Sequence, residues 1–237
     1  MRPLLNFMKK RLGFYRPSLS CQVPDLGEKW EAIFGQMTDG FFVEVGAYDG
    51  ESYSNTSCLA DVGWSGLYIE PIAEFADRCS YRHRKNAGIQ IVNCAVSDEI
   101  ENVKIFIGDI LTTVVDEQVA DYEKINWATG LHKGEMREVP AAPLDVILDR
   151  HSVAPRFDLL VVDVEGAEET VMRGFSLDRW LPKAILIELE DEHPDFCGNS
   201  RVVQSVTRVR SLIKDAGYTL YFKDHINSLY VLKACDG

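Results

Sequence analysis

Residues 42–56 read FVEVGAYDGESYSNT. An apolar run from Phe42 to Val45 carries one glutamate, stops at Gly46, turns again at Gly50, and then becomes small and polar. Short apolar runs of β-branched and aromatic residues that stop at a glycine read as buried strands. The glycines let the backbone turn sharply and approach a ligand closely. The following stretch, SNTSCLADVGW, reads as a helix closed by Gly63. The segment is therefore a strand–turn–helix unit with a carboxylate at its bend.

The same alternation continues along the chain. SGLYIEP, IQIVNCAVSD, FDLLVVDVEG and KAILIELE read as further buried strands, and ENVKIFIGD as an alternating one. AEFADRCSYRHRKN, APLDVILDRHS, AEETVMRGF and SRVVQSVTRVRSLIKDAGY read as helices, with LGEKWEAIFGQM as a lead-in helix before the first strand. Alternating strands and helices imply a parallel sheet covered on both faces. The last two strands, YTLYF and SLYVLK, are joined by KDHIN, which is too short for a right-handed crossover, so they are antiparallel neighbours. Residues 111–142 have weak periodicity and contain Gly130 and Gly134, the pattern of a functional insertion or lid.

In an open sheet of this kind ligands bind beyond the carboxyl ends of the strands. Acids gather there: Glu44 after the first strand, Glu70 after the second, Asp163 and Glu165 after the fourth, and Glu188 and Glu190 after the fifth. Asn93, Ala95 and Ser97 lie at the end of the third. Unpaired buried carboxylates are costly, so these acids should meet solvent, donors or cations. A dinucleotide site wants G-x-G-x-x-G, with pyrophosphate on free backbone amides. Glu44 stands where the first glycine of that pattern would be. It repels pyrophosphate and suits an ammonium or amide donors, which points to a ligand such as S-adenosylmethionine. Glu70, twenty residues after Gly50, can accept from both hydroxyls of a ribose.

FVEVGAYDGESYSNTSCLADVGWSGLYIEP, with NCAVSD, PLDVIL, DLLVVDVEGAEETVMRGF and ILIELE in that order, resembles FkbM-family methyltransferases over about residues 40–190. The resemblance implies an α/β, Rossmann-like class I methyltransferase: a mostly parallel seven-stranded sheet with an antiparallel C-terminal strand and helices on both faces. It also implies O-methyl transfer from S-adenosylmethionine, in several members to sugars or hydroxylated natural products. Carried over residue by residue, Glu44, Gly46, Ala47, Tyr48 and Gly50 match the cofactor loop, and Ser54, Asn55 and Thr56 the helix start. Glu70, followed by Pro71, matches the ribose acid, and Ala95 and Val96 the adenine segment. Asp163, Val164 and Glu165 match the strand end beside the reacting methyl, and Glu188 the acid of the fifth strand. Many members place a histidine near position 190; this chain has Glu190 there and His193 three residues on.

Candidates for a general base are Asp163, Glu165, Glu190, His193 and His132, with Asp163 and Glu165 favoured by position. Asp163, Glu188 and Glu190 offer three hard oxygen ligands of the kind that suits Mg2+; pairing with Lys183 or Arg173 is the alternative. His83, His151 and His225 read as solvated. Tyr122 and Trp127 in the insertion can cover a sugar face or simply pack it down.

The chain has 237 residues, enough for one sizeable core, and a net charge of −12. That charge disfavours nonspecific binding to nucleic acid or anionic membrane. The basic run YRHRK at 81–85 lacks interleaved aromatics and reads as a solvated helix end. The six cysteines form no CxxC pair and read as reduced thiols of a cytoplasmic protein. Residues 1–20 form a basic arm whose apolar run is broken by Asn6, Lys9, Lys10 and Arg11, so it is neither a signal core nor a span. It reads as an arm packed on the domain, or as a membrane-surface or oligomer contact. Residues 21–237 read as one domain. NTS at 55–57 fits the glycosylation pattern but reads as a loop.

The expected activity is O-methyl transfer to a small hydroxylated acceptor, a sugar or glycan unit. An NAD-linked oxidoreductase, a methyltransferase of macromolecules and a catalytically silent nucleotide-binding module are the rivals.

Overall fold

The computed structural model describes residues 13–233; most of the basic arm lies outside them. Seven strands form one sheet: β1 (Phe41–Val45), β2 (Ser65–Ile69), β3 (Ile89–Val92), β7 (Leu159–Val162), β8 (Ala184–Glu188), β9 (Tyr218–Lys223) and β10 (Asn227–Leu232). Their order is β3-β2-β1-β7-β8-β10-β9. β1 pairs in parallel with β2 and β7, and β7 in parallel with β8. β10 is antiparallel to both neighbours, as the short link before it requires. The strand order reverses between β1 and β7, which opens the crevice where ligands of such sheets bind.

Side chains of the central strands alternate between two cores. Val43, Val45, Ile69, Leu160, Val162 and Ile187 face one core. Phe42, Tyr68, Leu159, Val161 and Leu186 face the other, with Trp30 and Trp64. Each fully buried Val, Leu, Ile or Phe contributes about 1.5–3 kcal/mol, so burial on both faces fixes the strands' register. The covering helices include α1 (Leu26–Phe34), α2 (Ser57–Val62), α3 (Ala73–His83) and α5 (Leu144–Arg150). α8 (Ser200–Asp215) buries Val202, Val206, Val209 and Ile213, one stripe at helical spacing, and Asn199 caps its start by accepting from Arg201 N. Gly63 closes α2 in the left-handed conformation.

The third strand departs from the sequence reading. It divides into β3 and β4 (Ala95–Val96), which belong to different sheets. Asn93 causes the break: its amide donates to the carbonyls of Glu70 and Pro71, both at 2.9 Å, and turns the chain off the sheet edge. β4 then pairs with β6 (Met136–Ala142), which also pairs with β5 (Glu101–Phe106) to make a small three-stranded sheet. The stretch 111–142 thus ends in the central strand of that second sheet. It also contains α4 (Asp116–Tyr122), whose Gln118 and Tyr122 are fully buried.

Candidate active site

A cavity of about 450 Å³ opens at the carboxyl ends of β1, β2, β7 and β8. That is within the usual range for small ligands and cofactors. Of the expected residues, Glu44, Gly46, Ala47, Tyr48, Ser54, Glu70, Pro71, Ala95, Val96, Asp163, Val164, Glu165, Glu188, Glu190 and His193 all line it. Gly50, Asn55 and Thr56 stand behind the wall.

The reason is local. Gly46 has φ +89°, and a Cβ there would sit 1.7 Å from the carbonyl oxygen of Asp163. Only glycine lets β1 turn this close to the end of β7. The chain then folds SNT back over Glu44. The Glu44 carboxylate accepts from Ser54 Oγ (3.1 Å), Asn55 N (3.2 Å) and Thr56 Oγ1. Thr56 Oγ1 also contacts Tyr68 Oη (3.0 Å), and Tyr68 stacks on His83. His83 is therefore buried and not solvated as its sequence context suggested; its Nε2 pairs with Gly50 O at 2.8 Å. Asn55 is buried too, inside the loop that folds over Glu44. The amides of Thr56 and Ser57 are taken by Ser54 Oγ, so the start of α2 offers no free pair for a pyrophosphate.

Glu70 is arranged differently. Its two oxygens accept one amide each, Tyr48 N at 2.9 Å and Ile72 N at 2.8 Å. A carboxylate has about four acceptor positions, so one per oxygen remains for a ligand. Burial pushes both Glu44 and Glu70 up to about 7. Phe75, Ile105, Pro71, Ala95 and Val96 make an apolar slot beside Glu70. Tyr48 crosses the cavity mouth and donates to Asp109 Oδ1 at 2.5 Å. Tyr48, Tyr53, Asp109 and Glu165, all lining residues, have positive φ, the kind of backbone strain that collects at functional sites.

At the other end, Asp163, Glu165 and Glu188 bring carboxylate oxygens within 4.8 Å of one another. Burial raises all three pKa values, and mutual repulsion adds to it for Glu165 and Glu188. Glu165 is held by Tyr122 Oη, and its carbonyl accepts from Thr113 Oγ1 at 2.7 Å. Glu168 accepts from the amides of Val164 and Gly166 and so fixes the turn. Glu190 lies outside the tight group, with its Oε2 held by Gln118 Nε2 at 2.9 Å. Arg201 donates to Gln118 Oε1 at 2.6 Å and completes the support.

Several residues of the site were not legible. Gln118 hides in the weakly periodic insertion, with no signal beyond its type. His225 lines the cavity beside His193, with ring centroids 5.6 Å apart, because the β9–β10 link passes under the sheet's end. His132 stays off the cavity; it stacks on Tyr122 and contacts Leu111 O. His151 contacts Gln90 Oε1 at 3.0 Å. Of the two insertion aromatics, Tyr122 is buried beneath the acids, and Trp127 is 55% exposed at the cavity.

A doubly wound sheet with reversed order at β1/β7, an antiparallel last pair and an acid-lined cavity at the switch point defines a Rossmann-like enzyme of the methyltransferase type. Residues 44–220 match the methyltransferase FkbM domain, and the chain belongs to that family. Among solved structures it is similar to a putative caffeoyl-CoA O-methyltransferase from Staphylococcus aureus (13% identity, 98% of this chain and 91% of that one, TM-score 0.49). It is also similar to an O-methyltransferase from Bacillus cereus in complex with SAH (15%, 97% and 88%, TM-score 0.48). A third is the O-methyltransferase TomG from Streptomyces achromogenes, involved in tomaymycin synthesis, in complex with SAM (12%, 90% and 84%, TM-score 0.47). No curated protein matches the sequence. Among the described residues, no helix is long and apolar enough to cross a membrane.

Proposed function

We propose that the protein transfers a methyl group from S-adenosylmethionine to a hydroxyl of a small acceptor, a sugar or glycan unit, in the cytoplasm. The observation that carries this reading is Glu70: buried, tethered by two amides, and left with one acceptor position per oxygen beside an apolar slot. That is the arrangement a ribose diol and a flat base require. Hydrogen bonds to a charged group contribute about 1.5–3 kcal/mol each. The capped amides after β1 and the buried Glu44 count against a pyrophosphate, and so against NAD.

When bound, the cofactor supplies an activated methyl on a sulfonium sulfur. The protein's own part is alignment, for which effective molarities reach about 10⁵–10⁸ M, and removal of the acceptor's proton, worth about 10²–10⁴-fold. Sequence position favoured Asp163 or Glu165 as base. Their crowding with Glu188 supports a different assignment: Glu190 takes the proton, with one oxygen fixed by Gln118 and with His193 beside it at the cavity. Mg2+ is the second cofactor of this reading, on the crowded acids. Trp127, exposed at the cavity, faces the acceptor's ring, and the stretch 111–142 closes that side.

A screen of glycans and small alcohols with S-adenosylmethionine, read by mass for the gain of one methyl, tests the reading. Methylated sugar products are expected. Cofactor binding with no product from any hydroxylated acceptor would overturn the acceptor assignment.

A further inference from the structure

Three carboxylates with oxygens within 4.8 Å of one another need an explanation on a cavity wall where Asp163 and Glu165 are half-buried and Glu188 is buried. Charges of one sign this close are held apart by solvent, by cations of the protein, or by a bound cation. Four of the neighbouring protein cations are already engaged. Lys183 pairs with Asp158, Arg173 with Asp98, Arg201 with Asp121 and Arg210 with Asp191. Glu188 is only 9% exposed, and its Oε2 is buried with no hydrogen-bond partner among the described residues. A divalent cation, or a proton shared by Asp163 and Glu188, is what remains.

The cluster is built from rigid parts. Asp163 and Glu188 sit at the ends of two paired central strands, β7 and β8. Glu165 is in the left-handed conformation, φ +54°, held there by Tyr122, Thr113 and the Glu168-capped turn. A chain that places a non-glycine residue in that conformation, with three separate restraints, fixes the direction of the carboxylate. Ligands of Mg2+ stand at about 2.0–2.1 Å from the ion, which puts adjacent oxygens about 2.9 Å and opposite ones about 4.2 Å apart. The present spacing allows this with a small inward movement.

We propose that Asp163, Glu165 and Glu188 form a binding site for one hard divalent cation of the Mg2+ class, with Glu190 outside it. The site deepens the methyl-transfer reading and rests on it for its role. Three protein oxygens leave about half of an octahedral shell open toward the cavity, where an acceptor's oxygens can reach. A cation there lowers the pKa of a hydroxyl that it contacts.

Calorimetric titration of the purified full chain with Mn2+, with Mg2+ competition, tests the site. A parallel titration of the same samples with S-adenosylhomocysteine separates it from the cofactor reading. One saturable Mn2+ site is expected, weakened at least tenfold in Asp163→Asn and in Glu188→Gln and changed less than about threefold in Glu190→Gln, with melting temperature recorded for each. The absence of saturable Mn2+ binding, or unchanged affinity in Glu188→Gln, overturns the site and leaves the shared proton as its occupant. Mn2+ binding without S-adenosylhomocysteine binding upholds the cation site and sinks the methyl-transfer reading instead. The reverse result sinks only the site.

Discussion

Glu44 and Glu70 at one end of the cavity accept three and two hydrogen bonds from the protein. At the other end Glu165 is held by one hydroxyl, and Glu188 has a buried oxygen that accepts none. All four lie in the same crevice and are pushed up by burial. The difference is in who supplies the donors. Where the chain supplies them, the carboxylate organises backbone and has one or two positions left for a ligand. Where it does not, repulsion stays in the folded state until a proton or cation arrives. Donor count, more than acidity or burial, separates the acids that shape the pocket from those that wait for an external charge.

Gly46→Ala gives the largest expected effect. A Cβ 1.7 Å from Asp163 O, on a residue with φ +89°, forces β1 and β7 apart at the point that joins the two ends. Destabilisation of at least about 3 kcal/mol, or loss of soluble protein, is expected from chemical denaturation. A variant of near wild-type stability would mean that the ends are not rigidly coupled.

Glu70→Ala removes the acceptor of two possible ribose bonds. Affinity for S-adenosylhomocysteine should fall at least about tenfold by calorimetry, at about 1.5–3 kcal/mol per charged hydrogen bond. An unchanged affinity would place the ribose elsewhere.

The donor-rich acids also predict a pH slope. Folded Glu44 and Glu70 titrate near 7, above their ordinary value of 4.5. Between about pH 5 and 7 the folded state holds protons that the unfolded state has released, so stability falls as pH rises. The loss is about 1.4 kcal/mol per pH unit for each group, and their part levels off above about pH 7. Urea midpoints at pH 5.5, 6.5 and 7.5 should decrease in that order, with a shallower decline in Glu44→Gln.

Two smaller effects sharpen the contrast. Thr56→Val deletes one of the Glu44 donors and should cost about 1–3 kcal/mol of stability, with S-adenosylhomocysteine still bound. Trp127→Ala, at an exposed rim position, should leave stability unchanged and raise the acceptor's KM roughly 2–10-fold, the equivalent of about 0.5–1.5 kcal/mol for an aromatic contact.

Much of this architecture was legible in the residues. The apolar runs at 42–45, 159–162 and 184–188 have no polar alternation because both of their faces are buried, and KDHIN is too short for anything but an antiparallel return. The acids at the strand ends followed from the same pattern. The roles of Asn55 and Thr56 were not legible, since a helix-start motif reads the same whether its hydroxyls face a ligand or a glutamate of the preceding strand. His83 was misread because its neighbours in sequence are charged, while its neighbours in space are Tyr68 and Gly50. β4 and β6 escaped because two-residue strands and a strand containing Pro140 carry little periodicity. Gln118, which holds Glu190 from a short helix, and His225, on the link between the last two strands, reach the site only through tertiary packing.

The most direct test is calorimetric titration of the wild-type chain with S-adenosylhomocysteine and, separately, with NADH. One saturable S-adenosylhomocysteine site and no NADH binding are predicted. Binding of NADH with no response to S-adenosylhomocysteine would contradict the account.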